Sequence, residues 1–65
     1  MKTLKGYALT PNQAERRADL AQFLAPGPSY RRDIRDALNS MQYAETAEQV
    51  DYWLEQADRK SYDYR

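Results

Sequence analysis

Apolar residues recur at helical spacing in three stretches of the chain, and residues that start or stop helices bracket each stretch. The middle stretch is the clearest. Tyr30, Ile34, Ala37, Leu38 and Met41 fall at i, i+4, i+7, i+8 and i+11, which places them on one face of an α-helix. Ser29, directly after Pro28, is its expected N-cap, and the spacing predicts a helix over 29–42. Arg31 and Arg35 share one flank of this helix, while Arg32 and Asp36 are spaced to pair along another.

The first stretch has the strongest start signal. Thr10 is placed to cap, Pro11 suits the first helical position, and Gln13 completes a capping box. Leu9 and Ala14 stand where a hydrophobic staple joins the preceding chain to the helix. The prolines of Ala25-Pro26-Gly27-Pro28 cannot continue a helix, so the element is predicted over 10–24. Ala14, Ala18, Ala21 and Ala25 line up as a stripe of small residues beside Leu20 and Leu24, and Phe23 falls on the far edge, partly exposed.

Thr46 repeats the capping logic with Gln49 three residues later, and Tyr43 to Glu45 are the expected connection. Val50, Trp53, Leu54 and Ala57 make the buried face of a third helix over 46–60, with Trp53 the largest contributor to the core. Residues 1–9 read as an extended N-terminal arm with Leu9 or Tyr7 packed on the body, and 61–65 as a short C-terminal tail. The expected architecture is all-α, a small three-helix bundle forming one domain over 1–65.

Composition then narrows the chemistry. A chain of 65 residues buries a small core and has room for little concave surface. It contains neither Cys nor His, which removes the thiolate nucleophile, the thiolate zinc site, the usual acid/base near neutral pH and the commonest metal ligand. Gly6 and Gly27 lie too far apart for a phosphate-cradling loop. The chain is therefore expected to have no catalytic activity, no cofactor and no metal. Glu48, Asp51, Glu55 and Asp58 follow one another at helical spacing, which does not wrap oxygens around an ion as a calcium loop does. No stretch approaches the roughly 20 apolar residues of a membrane span, and the chain opens without a signal-peptide pattern. It is expected to be soluble and cytoplasmic, with no membrane role.

Ten basic residues balance ten acidic ones, but they are not evenly spread. Residues 1–35 carry seven basic against three acidic side chains, a net +4, and residues 36–65 carry three against seven, a net −4. On the third helix, Glu48, Tyr52, Glu55 and Arg59 fall at i, i+4, i+7 and i+11, opposite Val50, Leu54 and Ala57. The helix macrodipole accounts for an acid near its start and Arg59 near its end. It does not account for Tyr52, a large ring placed away from the core. Six Tyr, one Trp and seven Arg add to this, since interfaces are enriched in these three types.

The leading expectation is a small protein-binding module, an inhibitor, adaptor or regulatory protein that occludes a larger protein partner. Glu48, Tyr52, Glu55 and Arg59 are its candidate contact residues. Small helical proteins of phages and other mobile elements that block host machinery match it in size and style, with no shared motif. The alternative is a helix-turn-helix-like DNA-binding regulator using Arg16, Arg17, Arg31, Arg32 and Arg35. The acids of the third helix would repel phosphates, and the chain has no net basic excess, so nucleic acid is the weaker expectation. A homodimer, with Phe23 and the alanine stripe covered by a second copy, is compatible with either reading.

Overall fold

The computed structural model describes residues 1–24 and 31–63 and contains three helices in the expected order: α1 (Pro11–Ala21), α2 (Arg32–Met41) and α3 (Ala47–Ser61). The protein is a small all-α three-helix bundle. Its expected Ser29 cap, Tyr30, Ala25 and the last two residues, Tyr64 and Arg65, lie outside the described residues.

Helix α1 starts as its sequence dictates. The Gln13 N–H donates to Thr10 Oγ1 at 3.2 Å, and Gln13 Oε1 accepts from the Thr10 N–H at 3.0 Å, so the capping box is complete. Leu9 is buried in the core and Ala14 packs against the core, as the staple positions predict. The helix ends three residues before the predicted limit. From Gln22 to Leu24 the backbone N–H groups bond three residues back, to Asp19, Leu20 and Ala21, and tighten the last turn.

That tightening corrects the placement of Phe23. Helical periodicity no longer governs a residue beyond the end of the helix, and Phe23 turns inward to 8% exposure, with the Arg31 guanidinium 5.8 Å from its ring centroid. The alanine stripe is corrected too. Ala18 is exposed and Ala14 and Ala21 are only half-buried, whereas Gln13 and Leu20 are buried. The roll of α1 is set by Gln13. Its Nε2 donates to Asp51 Oδ1 at 2.9 Å and to the Ala47 carbonyl at 3.4 Å, on α3. Tyr7 Oη donates to its Oε1 at 3.0 Å. A buried amide makes such bonds or costs a desolvation penalty, so the helix turns this polar residue inward and leaves the alanines at the margin.

Helix α2 buries Ile34, Ala37, Leu38 and Met41, and α3 buries Val50, Leu54 and Ala57, as the periodicity predicts. Thr46 caps α3 through Oγ1, 3.3 Å from the Gln49 N–H, while Gln49 Oε1 reaches back to the Glu45 N–H at 2.7 Å. Ser61 extends the buried row by one turn, fully buried with its hydroxyl donating to the Asp58 carbonyl at 2.6 Å. The expectation for Trp53 is corrected: it stands at the margin of the Val50, Leu54 and Ala57 row, only half-buried and packed against the core, and is not its largest buried side chain. Helix α3 is the central element, since α2 packs along it extensively and α1 also rests on it.

The arm of residues 1–9 is extended along two short legs that fold back on each other. Lys2 and Ala8 form an antiparallel bridge, the Thr3 N–H donates to the Tyr7 carbonyl at 2.8 Å, and the Leu9 N–H donates to the Met1 carbonyl at 2.9 Å. Gly6 makes the reversal possible, because its φ of +92° is a conformation that side chains with a Cβ rarely adopt. The buried Thr3 then fastens the arm to the connection between α2 and α3. Its Oγ1 donates to the Ala44 carbonyl at 2.8 Å, and beside it the Leu4 N–H donates to the Gln42 carbonyl at 2.7 Å.

Gln13→Ala removes the bond that Gln13 Oε1 accepts from the Thr10 N–H, the bond from Tyr7 Oη and the bridge to α3 together, while the backbone N–H at position 13 still donates to Thr10 Oγ1. The expected loss is about 2–3 kcal/mol in urea unfolding. Asn12→Ala, at an exposed neighbouring position, is expected to stay within about 0.5 kcal/mol of the parent. Equal effects of the two substitutions would dismiss Gln13 as the tie between the arm, α1 and α3.

Candidate functional site

Helix α3 carries two different faces on one backbone. Val50, Leu54 and Ala57 are completely buried, and Glu48, Tyr52, Glu55 and Arg59 are all exposed on the opposite side. The four candidate contact residues therefore share one outward strip, as their spacing of four, three and four residues requires. Tyr52 is 54% exposed. Its ring stands edge-on to Trp53, with centroids 4.9 Å apart and planes at 85°, an arrangement that suits the ring quadrupoles and limits where the tyrosine points. Arg59 Nη2 donates to Glu55 Oε1 at 3.0 Å, one turn apart on the same strip.

Tyr52 and Trp53 also line a groove that the sequence reading missed. Asp33, Asp36, Ala37 and Ser40 of α2 form one wall, and Tyr52, Trp53, Gln56 and Lys60 of α3 form the other. The groove encloses about 380 Å³ and is open to solvent. That is within the lower range of ligand-binding clefts. Its α2 wall has a sequence signal, since Asp33, Asp36 and Ser40 stand at i, i+3 and i+7 as a polar strip beside Ala37. The strip acquires meaning only once the roll of α2 against α3 is known. Burial of Ile34, Ala37, Leu38 and Met41 fixes that roll and leaves the neighbouring strip at the rim.

The alternative basic set is divided among different tasks. Arg16 lies 3.7 Å from Asp51 and is partly covered. Arg17 is half-buried with its Nε shielded and without a hydrogen-bond partner among the described residues, and Arg31 lies over Phe23. Arg32 and Arg35 are exposed, and Arg32 makes no ion pair with Asp36. Only the last two of the five are thus exposed.

The acids of α3 do not gather around a centre: among the described residues no three metal-ligating side chains are close enough to hold an ion. Asp51 is instead the acceptor for Gln13 and lies beside Arg16, which makes it part of the joint between α1 and α3. Among the described residues no helix is long and apolar enough to cross a membrane.

The Glu55–Arg59 pair is exposed on both sides, so solvent screens it and it contributes little to stability. Glu55→Gln and Arg59→Ala are each expected to change the unfolding free energy by about 0.5 kcal/mol or less. A loss several times larger would assign the pair to the scaffold and disqualify these positions as a surface that can be altered without disturbing the fold. No protein-family model matches the chain, and no curated protein or solved structure matches it.

Proposed function

We propose that the protein is a small non-catalytic binding module of the cytoplasm, an inhibitor, adaptor or regulatory protein that works by covering part of a larger protein. The observation that supports this most directly is the exposure of Tyr52 beside Trp53 on a helix whose other side is fully committed to the core. An aromatic ring held at the surface by a second ring offers contact area at low entropic cost, and such residues dominate the energetics of many interfaces. Glu48, Glu55 and Arg59 flank it with charges of both signs, which would fix register and discourage wrong partners.

A helix-turn-helix role has less support. The outward strip of α3 carries Glu48 and Glu55, and three of the five candidate arginines are partly covered. Salt-dependent binding to duplex DNA at low ionic strength is the result that would favour it.

Affinity purification of the tagged chain from its source cell is expected to recover a stoichiometric partner. Tyr52→Ala and Glu55→Arg should each weaken recovery by about tenfold, the scale of a strong interface contact. Both variants should retain the helical circular dichroism of the parent. If no partner is recovered, or both variants recover it as well as the parent, the outward face of α3 is not a docking surface.

A further inference from the structure

We infer that the groove between α2 and α3 is the seat for a basic side chain, an arginine above all, of the partner protein. The inference rests on the binding-module reading and gives its contact surface a specific chemistry.

Three features of the groove point to a cation. The first is aromatic: Tyr52 and Trp53 form its wall on α3, and an indole is the best of the side-chain rings for holding a cation over its face. The second is the opposite wall, where Asp36 supplies a carboxylate and Ser40 a hydroxyl, while Asp33, near the start of α2, already accepts from the Ile34 N–H through Oδ1 at 2.8 Å. Asp36 is exposed, so its carboxylate is accessible to an incoming group. A planar guanidinium can stack on a ring and donate to a carboxylate together, which an ammonium does less well. The third is the surrounding field. The two helices that form the groove, α2 and α3, carry six acidic against four basic side chains, a net −2 that would draw a basic segment towards this side.

Lys60 also lines the groove and carries the same sign as the proposed occupant. It stands eight residues beyond Tyr52, about 12 Å along the helix axis. The short connection makes α2 and α3 antiparallel neighbours, so the later part of α2 lies beside the early part of α3. Asp36 and Ser40 therefore belong to the end of the groove near Tyr52 and Trp53, and Lys60 to the end near the start of α2. A cation sits at the aromatic end, and Lys60 limits how far a continuous run of positive charge extends along the groove.

Trp53 is the only tryptophan, so its emission reports directly on occupancy. The probe is an acetylated, amidated hexapeptide of alternating glycine and arginine, compared with the same peptide carrying norleucine in place of arginine. The arginine peptide is expected to change Trp53 emission saturably, and the norleucine peptide is not. Asp36→Asn should weaken arginine-peptide binding roughly three- to tenfold with unchanged circular dichroism, the scale of a partly exposed charge contact. Lys60→Gln should tighten it, and Glu15→Gln, an exposed acid on α1, should leave it unaltered.

Absence of a saturable response to the arginine peptide overturns the inference. An equal response to the norleucine peptide, or equal weakening by Asp36→Asn and Glu15→Gln, overturns it as well. So does a dimeric mass in light scattering that excludes the peptide, because a second copy would then fill the groove. The two proposals fail separately. A partner lost with Tyr52→Ala alongside a silent arginine peptide preserves the docking face and removes the cation seat. Peptide binding without any recovered partner does the reverse.

Discussion

One buried amide holds the parts of this molecule in register. Gln13 accepts from the backbone that precedes α1 and from the tyrosine hydroxyl of the N-terminal arm, and donates to the first turns of α3. Its contacts on α3 lie 34 and 38 residues away in sequence. Hydrophobic burial brings α1 and α3 together but is non-directional, and a face of small and medium side chains tolerates several rolls. A glutamine with each end of its amide engaged tolerates very few. The directional bonds therefore decide which face of α1 points inward, and the core of Leu20, Ile34, Met41, Val50 and Leu54 closes around that decision.

The consequence for function runs through α3. Both other helices lean on it, so its inner row is occupied along its whole length, from Val50 to Ser61. A helix pinned this thoroughly makes a rigid platform, and rigidity lowers the entropic cost of presenting side chains to a partner. The outward strip around Tyr52 and the groove beside it share this backing. Tyr52 belongs to both, as the edge of the groove and the centre of the strip.

Much of this architecture was legible in the residues. Thr10-Pro11 with Gln13, and Thr46 with Gln49, mark two helix starts through a chemistry local to four residues. The buried rows of α2 and α3 follow from strong apolar periodicity, and the outward strip of α3 follows as its complement. What stayed hidden depends on contacts between distant segments. Phe23 turns inward because α1 has already ended, Gln13 is buried because its partners come from Tyr7, Ala47 and Asp51, and Ser61 is covered although it is polar. The groove was hidden for the same reason, because half of its wall comes from each of two helices.

The central position of α3 has a further consequence for how the sequence can drift. Among the described residues α1 and α2 scarcely touch each other, and each is joined to the body mainly through α3. Changes on the two outer helices are therefore separated by a shared neighbour, and their energetic costs should accumulate without strong coupling. The flanks can diversify almost independently, whereas the middle of the molecule must satisfy two neighbours with every substitution it accepts.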